Sequence, residues 1–179
     1  MLEATPTPGR TSERVHVDFA VGLKASAGFT QIMVVVDAFS KMVVLVPLKA
    51  KASAVDVARA LVDKYMAYYG VPERLTMDRD TKFVSTVFRA MAAHLGMKAN
   101  PTSARHPAAN GQVERYMTTV KAKLRALTQG YKHWVQVLAK VQYAINNQLH
   151  SVTGRRPFDV QLRWPPAVSY THLTLPTTY

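Results

Sequence analysis

The sequence predicts an α/β domain built on a mixed five-stranded sheet with flanking helices. Three patterns carry that expectation: β-branched runs near the N-terminus, two helical stretches each closed by a glycine, and a long amphipathic stretch in the second half. Size agrees with it, since 179 residues make one domain of ~150 residues plus trimmings. A hydrophobic content of 48% excludes a disordered tail. The chain has no cysteine, which excludes a disulfide scaffold, thiol catalysis and Cys-ligated metal. The longest apolar runs, Ile32–Val36 and Met42–Pro47, fall far short of the ~20 residues of a membrane span. The opening MLEATPTPGRTSERV has no apolar stretch of the signal-peptide kind, so secretion is not expected.

In chain order, residues 1–13 are rich in Thr, Pro and Gly and are expected to be a disordered lead-in. Val15–Gly22 alternates apolar and polar residues, as a half-buried strand does. Gln31–Asp37 and Met42–Leu48 are β-branched and separated only by AFSK, a hairpin spacing, so the chain should open with a three-stranded meander. Ser53 is a natural N-cap for a helix carrying Val55, Ala58, Leu61, Val62, Tyr65, Met66 and Tyr69, with Gly70 and Pro72 as its stop. Arg74–Met77 reads as strand four, Val84–Leu95 as a second helix closed by Gly96, and Met97–Asn100 as strand five, parallel to strand four. Thr102–Gly111 is expected to be a mobile polar loop. The long helix should run from Gln112 to about Thr128, burying Val113, Met117, Val120, Leu124 and Leu127. Glu114, Thr118, Lys121 and Arg125 repeat with the same spacing one residue further round, and so share a separate polar face. A last helix is expected from about Trp134 to Leu149, and Tyr131, Trp134, Val135 and Leu138 are open to either a core or a dimer-face role.

The charge balance points to a partner. Lys+Arg number 23 against 11 Asp+Glu, a formal net charge of +12, which suits a polyanion, with nucleic acid first among them. From Thr81 to Phe158 the only carboxylate is Glu114. Three acids lie where chemistry would want them: Asp18 inside the first strand, Asp78 directly after the fourth, and Glu114 on the first turn of the long helix, with 35 residues between it and Asp78. A strand-centre Asp is costly if buried, and bound cations would offset the cost. Mg²⁺ favours a few carboxylates plus water and substrate phosphate, and a pair of such ions suits phosphoryl displacement. Each acid also has an ordinary structural role open to it. Asp18 could face solvent, Asp78 could form a turn, and Glu114 could complement the helix dipole.

The stretches VHVDFAVGL, IMVVVDAFSKM, LTMDRDTKFVS, ARHPAANGQVER and NNQLHSVTGRRPFDV resemble the integrase catalytic core of gypsy-type LTR retrotransposons and retroviruses, over about Arg14 to Arg163. The 35-residue Asp–Glu gap is that family's own. The resemblance implies a ribonuclease-H-like fold and a core domain over residues 14–163. It implies two Mg²⁺ ions, with Mn²⁺ as a substitute, held by Asp18, Asp78 and Glu114. It further implies strand transfer that inserts element DNA into host DNA, with a 3′-hydroxyl as nucleophile. Lys121 and Arg125 on the Glu114 face, with Asn110, Gln112 and Arg115 bordering the loop, would contact DNA. His106 opens that loop and suits packing or DNA contact better than general-base work. Asp37 reads as a turn or supporting residue rather than a ligand. The implied partners are element ends, host DNA and a second copy of the chain, with no membrane. The implied place of action is the nucleus, after a cytoplasmic particle.

The sequence departs from the pattern in places. Asp80 stands where relatives usually have Gly, two residues after the second Asp, and Met77 where they often have Ser. Asp tolerates a left-handed backbone only at some cost, and it adds charge beside the metals. The preceding zinc domain needs cysteines that this sequence lacks, and no SH3-like or chromodomain module follows, so an isolated core or a piece of a polyprotein is expected. Residues 164–179 are expected to lie outside the fold, and SYTHLTLPTTY resembles nothing in the family and reads as a sequence artefact. Two alternatives therefore stand beside an active integrase: a catalytically inactive, integrase-derived nucleic-acid-binding module, and a related DDE transposase or ribonuclease-H-like nuclease.

Overall fold

The computed structural model describes residues 8–77, 86–101, 107–128 and 133–163. Strands β1 (Arg14–Ala20), β2 (Gln31–Asp37) and β3 (Val43–Leu48) form the expected antiparallel meander. Strand β4 (Arg74–Met77) adds to β1 in parallel, and β5 (Lys98–Pro101) adds to β4 in parallel. The result is a mixed five-stranded sheet of order β3-β2-β1-β4-β5. Strand β1, which carries Asp18, is central.

Strand alternation sorts the apolar residues onto two faces. Val15, Val17, Met33, Val35, Val44, Val46, Leu75 and Met77 face one helical layer: α1 (Ala54–Leu61), a π-helical turn (Val62–Met66), α2 (Ala67–Tyr69) and α3 (Thr86–His94). Ala20, Ile32, Val34, Val36, Val43 and Leu45 face the other, made by α4 (Pro107–Thr128) and α5 (Trp134–Asn146). Met117, Val120 and Leu124 of the expected stripe are buried against that second face. His16 and Asp18 fall on it as well, by the same alternation.

The first helix begins at the Ser53 capping box, where Ser53 Oγ accepts the Asp56 N–H and Asp56 accepts the Ser53 N–H. It is not one continuous α-helix, as the periodicity predicts. The wider turn at Val62–Met66 interrupts it and accompanies full burial of Tyr65, whose hydroxyl lies 3.5 Å from Asp37 Oδ2 and 3.3 Å from Ser12 Oγ. Gly70, at φ +83°, ends α2 in a backbone that a side chain would strain. The structured chain starts before Glu13, inside the expected lead-in. The Ser12 N–H donates to Asp37 Oδ2 at 2.6 Å and its Oγ to Tyr69 O at 2.9 Å. Residues 1–7 and 164–179 lie outside the described residues.

Strand β3 is an edge, and α5 covers it. Asn146 accepts the Val43 N–H at 2.8 Å and donates to the Val43 carbonyl at 2.7 Å, while Gln142 accepts the Leu45 N–H at 2.8 Å. The next residue in that alternate row is Pro47, which has no N–H to satisfy. Helix α5 stops at Asn146, short of the expected Leu149. A short helix the sequence pattern does not predict, α6 (Pro157–Leu162), follows with Pro at its start, and its Gln161 accepts a hydrogen bond from Ser40 Oγ at 2.6 Å. Trp134 and Leu138, left open between core and dimer face, are core residues, and Tyr131 lies outside the described residues. The Trp134 indole N–H donates to Lys24 O.

Candidate metal and nucleic-acid site

The site is built on the middle of β1. Asp18 pairs with Val34 on β2, and its side chain keeps 31% of its surface exposed. Oδ1 accepts the Phe19 N–H at 2.7 Å. Oδ2 is ion-paired with the Lys121 ammonium from α4, whose own side chain is 26% exposed. The pairing follows from how α4 docks. Met117, Val120 and Leu124 press onto the sheet, so Lys121, one residue past Val120, is carried to the strand beside them. A carboxylate half removed from water needs a positive partner, and Lys121 supplies it.

Neither of the other two acids has a described side chain. Met77, the last residue of β4, is registered with Val17 of β1; Asp78, next in the chain, lies outside the described residues, and so does Asp80. Glu114 is in α4, seven residues before Lys121, or about 10 Å along the helix axis at ~1.5 Å per residue. Only its backbone is described. Among the described residues no three His, Asp or Glu come together as a metal cage. What is described of Asp18 fits a divalent metal: it is a hard oxygen ligand on the central strand, part exposed, and its present partner is the side chain of a single flexible lysine.

The expected loop 102–111 is corrected in part. Residues 107–111 open α4, so Asn110 and Gln112 lie within a helix and do not border a loop. Pro107 stands at the first helical position, where a missing N–H costs nothing, while Asn110 and Gly111 lie past the first turn and carry their ordinary propensity cost. His106 lies outside the described residues. Arg115 is exposed on α4, with its carbonyl accepting from Thr119 Oγ1 at 3.0 Å. Arg125 is exposed in the last turn, where a cation complements the helix dipole.

Two features escaped sequence reasoning. The direct Lys121–Asp18 pair joins residues 103 apart in the chain. His16, two residues before Asp18 on the same face, is buried, and its Nε2 finds no hydrogen-bond partner among the described residues. Burial, with Arg14 and Lys41 close by, lowers its pKa to about 4, so the imidazole is neutral. The alternation V-H-V-D is the signal that could have placed it with Asp18. Asp37 is a turn residue, as expected. Fully buried, its carboxylate accepts the N–H groups of Ser12, Phe39 and Ser40 and the Ser40 hydroxyl.

A ribonuclease-H-like sheet with a carboxylate at the centre of its first strand, under a basic helix, defines a class of nucleic-acid-processing domains. Comparison narrows it. The chain matches the integrase core domain family over residues 9–107 and belongs to that family. It is 33% identical over 169 residues to the Tf2-3 and Tf2-4 transposon polyproteins of Schizosaccharomyces pombe. The match covers 94% of this chain but only 13% of those polyproteins. Among solved structures, the HTLV-2 integrase catalytic core in complex with magnesium superposes with a TM-score of 0.68 at 16% identity, covering 86% of this chain and 98% of that one. The BIV integrase core gives 0.67 at 20% identity, over 85% and 95%. An integrase chain of the simian T-cell lymphotropic virus intasome, bound to a PP2A regulatory subunit, gives 0.73 at 16% identity, over 97% and 62%. At these identities the structural likeness shows the fold.

Proposed function

We propose that this chain is the catalytic core of a retrotransposon integrase, with Asp18, Asp78 and Glu114 holding two Mg²⁺ ions, for which Mn²⁺ can substitute. The observation that carries the reading is Asp18. It is a half-buried carboxylate at the centre of the sheet, facing the same helix that bears Glu114 and already neutralised by a cation from that helix. The register of Met77 with Val17 supports Asp78 as its companion. The metal ions, when bound, would stabilise charge on the attacking and leaving oxygens of a phosphodiester displacement. The chain's own residues do the rest. Strand β1 holds the Asp18 oxygens rigidly. The cationic side chains of Arg115, Lys121 and Arg125, with the polar Asn110, Gln112 and His106, hold phosphates and so fix the DNA without reading its sequence.

The reaction is a transesterification. The 3′-hydroxyl of an element end forms a new P–O bond to host DNA. The old bond to the host 3′-oxygen breaks, and the proton lost by the attacking hydroxyl balances the one gained by the leaving oxygen. The HTLV-2 core was solved in dimeric and trimeric forms, and we extend self-association to this chain. Its place of action would be the nucleus, after a cytoplasmic particle. Among the described residues no helix is long and apolar enough to cross a membrane.

The test is resolution of branched DNA in Mg²⁺ or Mn²⁺, with EDTA and Glu114→Gln controls. Metal-dependent product that vanishes in Glu114→Gln is expected. Asp80, in the usual glycine position, favours the second reading, an inactive DNA-binding module. Salt-sensitive DNA binding without product would establish that instead.

A further inference from the structure

Among the described residues, the Lys121–Asp18 pair lies at the one oxygen of Asp18 that takes no backbone hydrogen bond. Oδ1 accepts the Phe19 N–H, and Oδ2 is engaged by the ammonium. A divalent cation bound by both oxygens of Asp18, or by Oδ2 alone, meets the ammonium at that same oxygen. An ammonium and a doubly charged ion cannot share it, because their repulsion in a half-buried site is strong. Resting on the integrase reading above, we propose that Lys121 is a displaceable counter-ion. It neutralises Asp18 while the site is metal-free, and metal binding expels it toward the DNA-facing side of α4.

The helix geometry gives the expelled side chain somewhere to go. Lys121 shares its polar face with Thr118 and Arg125, both exposed, and its own side chain already has a quarter of its surface in water. A flexible four-carbon stem can swing from Asp18 to a phosphate without moving the backbone. Lys121 then holds an internal carboxylate in one state and a DNA phosphate in the other, never both. Metal and DNA each favour the state in which Lys121 has left Asp18, so each strengthens the other's binding by the same factor. Without metal the basic helix presents one cation fewer to DNA, and the carboxylate is protected from pairing with stray cations.

The full chain and Mg²⁺ alone suffice for the first measurement. Calorimetry should show Lys121→Gln binding Mg²⁺ tighter by on the order of tenfold. Lys123→Gln removes the same charge two residues away, where Lys123 donates to Gln148 at 2.5 Å, and should leave the affinity near that of the parent. The second measurement is duplex DNA affinity. Lys121→Gln should bind as the parent does in EDTA and several-fold more weakly in Mg²⁺. Equal losses in both conditions, or equal Mg²⁺ affinity for parent and Lys121→Gln, would overturn the displacement. No binding heat from Mg²⁺ in the parent, or parent-like heat that persists in Asp18→Asn, would instead overturn the metal site on which the proposal rests.

Discussion

Replacing Asn146 by Ala is the sharpest test of how the fold is held. Asn146 is fully buried, and its amide closes both hydrogen-bonding groups of Val43 on the edge strand, at 2.8 and 2.7 Å. Alanine removes both partners at once. Each buried backbone group left unpaired costs about 1–3 kcal/mol, so the pair should cost about 3–4 kcal/mol once partial relaxation is allowed. Against a total stability of about 5–15 kcal/mol for a domain, that is a large share. Urea denaturation followed by far-UV circular dichroism measures it, with an unchanged m-value showing that the same surface unfolds. Gln142→Ala removes a single bond to Leu45 at a half-buried position and should cost about 1 kcal/mol. Asn146→Asp keeps an acceptor for the Val43 N–H but turns a carboxylate toward the Val43 carbonyl, and should cost at least as much as Ala. A loss below about 1 kcal/mol for Asn146→Ala would mean that water satisfies the edge, and the helix-over-edge argument would fall.

Further outcomes follow from the same structure. His16 has a folded pKa lowered to about 4, so the native state stays neutral while the unfolded chain takes up a proton below about 6.5. Stability from this group is therefore full above pH 6.5 and lost as pH falls toward 4, about 2.5 kcal/mol of it by pH 4.5. In paired denaturation curves at pH 7.5 and 4.5, His16→Leu should lose less stability than the parent, and equal losses would refute the assignment. Asp37→Asn places an amide N–H₂ among donors from Ser12, Ser40 and Tyr65 and should cost about 2–3 kcal/mol by urea denaturation. Asp80→Gly should preserve or raise metal-dependent product from branched DNA, and a clear loss would show that Asp80 is no liability. Asp18→Asn should abolish that product while the circular dichroism spectrum stays that of the parent.

Much of the architecture was legible because it is local. Runs such as QIMVVVD and RLTM match their strands residue for residue. The i, i+3, i+7 row through Met117, Val120 and Leu124 announced a face that the sheet then buries. A carboxylate inside an apolar strand, a second just after another strand and a third on a helix pointed to a candidate site from residue types and spacing, and of these three side chains only that of Asp18 is among the described residues. Other features could not be read this way. Periodicity does not distinguish a π-helical turn from an α-helical one, so the interruption at Val62–Met66 passed unseen. Asn110 and Gly111 looked like a loop because propensity disfavours them in a helix, and the docking of α4 onto the sheet overrides that preference.

What the sequence alone determined, then, is which face each strand and helix turns inward and which residue types it carries there, since both depend on neighbours a few positions away. Which faces meet was decided only by tertiary docking. The helix that buries Val120 brings Lys121 to Asp18, 103 residues away, and the helix that buries Ile145 brings Asn146 to Val43 at the same separation. Such contacts leave no periodic trace in the chain. They arise because close packing permits one seating of helix on sheet, and the polar residues beside the packed ones are carried to partners that no local rule names.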